Sequence, residues 1–449
     1  MSWYDELSWI REYRFPLYTK DKSVIECLEE WMLDYNQNLQ KHVKFLSQED
    51  VEKIIWYTQN LRNAHNSYLQ GEYAKAFELF NETMGKIKDN LPTVHIGRIR
   101  DNLAEEIPYY RVCAGNGEFT YKQCLHIPYT KRQLASTNRF SAPGMPCSYM
   151  ASQKEIALFE CGMPSVYQLA EYYAVEHTEK LLRLDINPLT DTMALINLSY
   201  DGDAEDFVKK EATKLCYVLP LVASCSVVAQ NKEKAFVEAY IIPQMLMAWI
   251  KTCTDYVGVR YNSDVDNILV RCKGGYNIAM PATNPNEEGY SIELIRIFGI
   301  NKNNENKKVE TVNTVKAFKE KNAEKIENLI QYCDDILYIE EHTKSQELCD
   351  ICRKIHSVCY TFITLLNSYM KGSTNEKYAV VIALSRILDW SELALEKVEG
   401  LLAQMKSDGT SDKENVDTAE KIVCEFKQYV VKFAQDICFE LSRGGAWDD

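Results

Sequence analysis

The chain has 449 residues, 46% hydrophobic and 26% charged, with a formal net charge of −14. A length of this order supports about two to three domains with separate cores. The acidic balance excludes a general affinity for nucleic acid or an anionic membrane and leaves room only for a local basic pocket. No apolar run reaches the roughly 18 residues of a membrane span, and the opening MSWYDELSWIREYR lacks the apolar core of a signal peptide, so a cytoplasmic location is expected. The 15 cysteines are scattered and odd in number, often within apolar helical patterns as at Cys216 and Cys225. They read as reduced, mostly buried small hydrophobes.

Residues 1–104 read as helical: VEKIIWYTQNLRNAHNSYL and EYAKAFELFNETMGKIK carry apolar residues at spacings of three and four, broken by Gly71. The stretch YLQGEYAKAFELF resembles one tetratricopeptide unit, but no second copy follows at about 34 residues, so plain helical hairpins are expected. From 105 to 300 the texture changes to short β-rich runs: LLRLDI (181–186), TMALINLSY (192–200), DYVGVRYN (255–262), NILVRC (267–272), YNIAMPA (276–282) and SIELIRIFGI (291–300). Helices are expected between them at 206–228 and at 243–252, the latter with Pro243 in its first turn.

NKNNENKKVET (301–311) reads as a linker or an exposed helix entry. Beyond it an apolar stripe of Ile326, Leu329, Cys333 and Ile336 marks a helix, and helix-length segments follow at about 344–371, 376–405 and 416–443, with a solvated loop at 407–417. The expected fold class is α+β. A mixed α/β central domain (105–300) lies between N-terminal helical hairpins (1–104) and a C-terminal antiparallel helical bundle (301–449).

In the segment 138–162, NRFSAPGMPCSYMASQKEIALFECG, Ser152 and Glu155 form an S-x-x-E capping box that starts a helix at roughly 153–161, and Gly162 and Pro164 end it. Glu160 then lies one turn beyond Ile156 and Ala157, with its carboxylate toward or along the margin of the buried side. A buried unpaired carboxylate costs several kcal/mol, so Glu160 needs either a partner, for which Arg139 is the candidate, or a ligand.

The pattern RxxxxGxPxxYxAxxxxxAxxE, carried here by Arg139, Gly144, Pro146, Tyr149, Ala151, Ala157 and Glu160, resembles the core of the RES family, named after its arginine, glutamate and serine. YYRVCAGNG places Arg111 where that family has an arginine near the end of its first strand, and LHIPYTKR (125–132) resembles the lead-in to the motif. YIIPQMLMAWIK and VGVRYNS resemble its PQ helix and GxxYxS strand, through Gln244, Tyr261 and Ser263. The likeness covers about residues 105–300. It departs at Phe140 and Ser141, where many relatives have Trp and Asn, and in the helical regions added on both sides.

The resemblance implies an ADP-ribosyltransferase-like fold and NAD as substrate without a metal. It also implies a toxin or defence effector that destroys NAD, with a cognate antitoxin as the family's usual partner. Breaking the nicotinamide–ribose bond expels a neutral base, so no general acid is needed and one carboxylate suffices where most glycosidases need two. Glu160 would stabilise the ribosyl cation, Arg139 and Arg111 would hold the pyrophosphate, Tyr149 would face the nicotinamide ring, and Ser263 would position the amide or the attacking group. Each residue also has a plain structural reading: Tyr149 as a core aromatic, Ser263 as a strand-end turn residue, Arg111 as an ion-pair or surface residue. Water, phosphate and a protein side chain all remain open as acceptors, and a homo-oligomer and a non-catalytic scaffold remain open as well.

Other signals are set aside. Cys349, Cys352, His356 and Cys359 have metal-ligand residue types, but on one helix the first and last stand about 15 Å apart, beyond the reach of a single ion. AGNGEF (114–119) lacks the completion of a phosphate loop, and DGDAEDF (201–207) reads as a helix start rather than a calcium loop. His126 is a candidate for the pocket border.

Overall fold

The computed structural model describes residues 3–442 apart from 20, 101–102, 106, 116, 163, 165, 176–177, 200–204, 229–235, 264–274, 310, 372–382, 384–385 and 408–411. The chain divides into two compact units. The first is Met1–Arg111, Phe119–Gln153 and Ala170–Lys308; the second is Val112–Glu118, Lys154–Leu169 and Val309–Asp449. Most of the expected segments 1–104 and 105–300 falls in the first unit, and most of 301–449 in the second.

Among the described residues the α-helices up to residue 300 are α1 (Trp3–Leu7), α2 (Val24–His42), α3 (Gln48–Leu69), α4 (Tyr73–Ile87), α5 (Tyr121–Leu125), α6 (Lys154–Glu160), α7 (Pro188–Leu198), α8 (Glu205–Cys225), α9 (Ile241–Cys253) and α10 (Ile292–Ile297). The main strands are β1 (Thr93–His95), β2 (Pro108–Ala114), β3 (Cys147–Ala151), β4 (Val166–Tyr173), β5 (Lys180–Arg183), β6 (Tyr256–Tyr261), β7 (Asn277–Pro281) and β8 (Thr311–Asn313). The boundary between the units falls inside β2 and β4. The fold is α+β, with helical N- and C-terminal regions as expected.

In the first unit, Ser23 and Ser47 cap α2 and α3, their hydroxyls accepting the amides of Glu26 and Asp50 at 3.3 and 3.1 Å. These are N–H groups that a helix start leaves open. Helix α8 is buried on every side from Leu215 through Cys225, so it must be covered all round. The N-terminal helices supply part of that cover: the Tyr35 phenol donates to the Cys216 carbonyl at 2.6 Å and the Tyr217 phenol to Asp50 at 2.9 Å. Cys216 and Cys225 are buried as expected, and both are free thiols.

The sheet runs in the order β4–β2–β3–β7–β6–β5–β1. Strand β7 is antiparallel to both of its neighbours, β3 and β6, while β6 and β5 are parallel and β5 and β1 antiparallel. Strand β1 lies inside the segment expected to be wholly helical, and it is the sheet's edge. Tyr149 on β3 pairs with Ala279 on β7, and Val259 on β6 with Ala279 from the other side. Gly258, just before Val259, is a forced choice: a Cβ there would lie 2.3 Å from the Ala279 carbonyl oxygen.

Two expected β runs are helices instead. TMALINLSY falls mostly in α7, where Pro188 sits at the first position and the Asn187 side chain accepts the amides of Leu189 and Thr190 at 3.1 and 3.2 Å. SIELIRIFGI forms α10, capped by Ser291, whose hydroxyl accepts the Leu294 amide at 3.2 Å. In both, local capping chemistry outweighs the β-branched composition. The run NILVRC (267–272) lies outside the described residues.

In the second unit, β8 pairs antiparallel with Val166–Gln168. Beside α6, the helices of that unit among the described residues are α11 (Thr314–His342), α12 (Gln346–Lys371), α13 (Ile387–Ser407), α14 (Lys413–Phe426) and α15 (Lys432–Ser442), the last two joined by a π turn over Lys427–Val431. Leu329, Cys333 and Ile336 of the expected stripe are buried, while Ile326 is half-buried. Arg353 pairs with Glu340 at 3.2 Å across the turn between α11 and α12, and the Tyr332 phenol donates to the Ile422 carbonyl at 2.7 Å. The solvated loop expected at 407–417 ends earlier, because Asp412 caps α14. Cys349, Cys352, His356 and Cys359 lie on one continuous helix, with Cys352 and Cys359 in its core stripe. No helix among the described residues is long and apolar enough to cross a membrane.

Two outcomes follow for the first unit. Gly258→Ala forces β6 and β7 apart and is expected to destabilise the chain by about 2–3 kcal/mol in denaturant unfolding. His126 is fully buried, with Nδ1 donating to the Ile127 carbonyl at 2.8 Å and Nε2 accepting the Ser291 amide at 3.0 Å. Burial pushes its pKa down from 6.5 to about 4, aided by the nearby Arg111 charge. The folded state therefore favours the neutral ring. This stabilisation is complete above about pH 6.5 and is lost as pH falls toward 4, amounting to about 2 kcal/mol between pH 7 and 5. In His126→Gln, unfolding measured at both pH values is expected to show a pH dependence smaller by that amount.

Candidate functional site

The motif arginine, Arg139, sits at the tip of a tight turn. Asn138 and Ser141 exchange backbone hydrogen bonds at 2.9 and 3.1 Å, which leaves Arg139 and Phe140 as the two central residues. Gly144 then closes the loop at φ +75°, its amide bonded to the Ala135 carbonyl at 2.8 Å. That left-handed conformation explains a glycine at this motif position.

The two tip side chains part company. Phe140 is fully buried and packs against Tyr261, ring centroids 4.7 Å apart. Arg139 is 8% exposed; its guanidinium donates to the carbonyl of Cys225 and, at 3.2 Å, to that of Val227, and lies 5.7 Å from the Tyr240 ring centroid. Cys225 is the last residue of α8, so this arginine caps the carbonyl end of the buried helix, where a cation also meets the negative end of the helix dipole. The expected pyrophosphate ligand therefore commits at least two of its donors to the main chain.

Tyr149 alternates with Ser148 along β3, and the two point to opposite faces. The Ser148 hydroxyl donates to the Leu125 carbonyl at 2.7 Å. The Tyr149 phenol donates to the Ser141 hydroxyl at 3.0 Å and accepts the Phe140 amide at 3.2 Å, so the ring is tied to the arginine turn at two points. Burial raises its pKa well above the ordinary phenol value, which keeps it a protonated donor. Arg111 on β2 donates to the Tyr149 carbonyl at 3.0 Å.

Gln244 on α9 clamps the same turn. Its amide nitrogen lies 3.0 Å from the Thr137 hydroxyl, 3.0 Å from the Asn138 carbonyl and 3.2 Å from the Ser141 carbonyl. Four stretches far apart in sequence, around 111, 139–149, 244 and 261, therefore meet in one unit. Ser263 follows two residues after the end of β6 and is half-buried.

Glu160 belongs to the second unit. It is the last residue of α6; Ile156, Ala157, Leu158 and Phe159 are buried and Glu160 itself is exposed. A carboxylate on the buried margin was expected, but a seven-residue helix ended by Gly162 at φ +74° leaves its final side chain outside the apolar contact. The hydroxyl of Ser152, expected as the helix cap, accepts the Tyr276 amide at 2.9 Å and so also ties β3 to β7.

A cleft borders the arginine turn. Its empty space, the open mouth included, is about 590 Å³, and its lining includes Phe140, Ser141, Gln244 and Lys251 together with Tyr68 and Phe77 from the α3–α4 hairpin. Lys251 ends the stretch that resembles the PQ helix without being one of its matched residues, and the hairpin lies outside the resemblance. His126, the expected border residue, is instead sealed in the core.

No protein-family model matches the chain, and no solved structure matches it. The chain is similar, at 26% identity over 286 residues, to a protein of Bacillus subtilis (strain 168) named "Putative toxin YopC". The similarity takes in 61% of this chain and 64% of that protein, so the chain spans just under two thirds of the relative's length.

Replacing Gln244 by Leu removes the clamp and leaves the buried Ser141 carbonyl without that donor. The expected cost is about 1–3 kcal/mol in denaturant unfolding, with Thr137→Ala costing less because only one of the three acceptors is lost.

Proposed function

We propose that the chain is a RES-type enzyme that cleaves the nicotinamide–ribose bond of NAD and acts as a toxin or defence effector. The observation that carries this reading is the meeting of the separated motif stretches: the Gln244 amide on the 137–141 turn, with Tyr149 bonded to that turn and Phe140 stacked on Tyr261. Similarity to a Bacillus protein named as a toxin supports the biological side of the reading.

In this reading the residues divide the work. Glu160 supplies the carboxylate that stabilises positive charge developing on the ribose, as the resemblance implies. Arg111 supplies the cation for the pyrophosphate. Arg139, through the end of α8 and its turn, holds Tyr149 in place, and Tyr149 presents its ring to the nicotinamide. Ser263 positions the amide or the acceptor. The departing nicotinamide is neutral and needs no proton, so one carboxylate is enough.

The test is NAD consumption by the purified chain, followed by chromatography with and without phosphate. Glu160→Gln is expected to lower turnover about 100- to 1000-fold, with circular dichroism checking that the variant folds. Free ADP-ribose identifies water as acceptor, ADP-ribose 1″-phosphate identifies phosphate, and a mass gain on a protein identifies transfer. Arg139→Ala is a poor probe, since losing the helix cap lowers stability whatever the chemistry. Equal NAD turnover by the normal chain and Glu160→Gln, or none by either, overturns the proposal.

A further inference from the structure

We propose that the cleft beside the arginine turn is a binding site for a small amphipathic anion, an apolar ring or short chain bearing one carboxylate, distinct from the residues assigned to NAD. Small-molecule sites are concave and mostly apolar with a few placed polar groups, and the cleft shares that character. Its walls are mainly apolar, formed by Tyr68, Phe77, Phe140, Met145, Met247 and Pro281 among others. Methionines of this kind adapt to ligands of varied shape. Met145 is 40% exposed, so the slot opens to solvent at that residue.

The one cationic side chain in the lining is Lys251. Its ammonium donates to the Tyr129 phenol at 2.9 Å and lies 5.5 Å from that ring's centroid, and it forms no ion pair among the described residues. In a chain of net charge −14, an ammonium held by a neutral phenol beside an apolar slot is complementary to an anion whose body fills the slot. Two other lining groups do not compete for that role. Burial pushes the Cys147 thiol up to about 12, so it stays neutral, and the Gln244 amide nitrogen is already bonded to the turn.

The site has a structural route to the motif. Ser141 lines the cleft, takes the Tyr149 hydrogen bond and offers its carbonyl to Gln244, so a ligand pressed on the 140–142 segment bears directly on the phenol. The hairpin residues Tyr68 and Phe77 lie outside the stretch that resembles the RES family, so the cleft is a feature of this chain's added helices.

The experiment is calorimetric titration of the full chain with 2-naphthoate and, separately, with the neutral naphthalene-2-carboxamide. Saturable one-to-one binding of the carboxylate is expected, at least tenfold tighter than the amide, with that preference lost in Lys251→Gln. Ala248→Trp, which narrows the cleft, is expected to abolish binding of both probes, and circular dichroism checks that it folds. The proposal is overturned if no saturable binding occurs at millimolar probe, if the amide binds as tightly as the carboxylate, or if Lys251→Gln leaves the preference intact. None of these readouts depends on NAD turnover.

Discussion

The first unit is organised around a helix that cannot face water. From Leu215 to Cys225 every side chain of α8 is buried, Pro220 included. A helix apolar all round has to be wrapped on all sides, and burying a single Leu or Val side chain contributes roughly 1.5–3 kcal/mol. The sheet alone cannot do this. The N-terminal helices complete the cover, through Tyr35 on the Cys216 carbonyl and Tyr217 on Asp50, which is why they belong to the same compact unit as the strands.

The same constraint places the motif arginine. A buried helix ends in carbonyls that have no partner within the helix, and Arg139 supplies one at Cys225 and another just beyond at Val227. Once the guanidinium is anchored, the turn it belongs to is fixed. Phe140 is driven into the core against Tyr261, and the amide of Phe140 and hydroxyl of Ser141 meet the Tyr149 phenol. The arrangement is therefore cooperative: helix end, turn, strand β3 and Gln244 each hold the others, and a change at one is felt at the rest.

That cooperativity separates two kinds of residue in the proposed chemistry. Arg139 and Tyr149 are bound into the scaffold, and their removal confounds stability with activity. Glu160, exposed at the end of a short helix, is a cleaner reporter of function. The cleft between the motif turn and the α3–α4 hairpin adds a place where the appended helices reach the motif without supplying any of its residues.

Much of this was legible in the residues. Short β-rich runs marked β6 and β7, spacings of three and four marked α3, α4 and α11, and the motif letters picked out Arg111, Arg139, Tyr149 and Gln244, which do meet in space. The cap signals at Asn187–Pro188 and at Ser291 were also present, and they outrank the β-branched residues that followed them. What the sequence alone determined was the set of local elements and the short-range chemistry of turns, because these depend on neighbours along the chain. Tertiary structure alone decided that Arg139 meets main-chain carbonyls some 86 positions away, that the N-terminal helices share a core with the strands, and that Lys251 faces an apolar slot. Carbonyl acceptors carry no side-chain signature, and a cleft exists only once distant surfaces have been brought together.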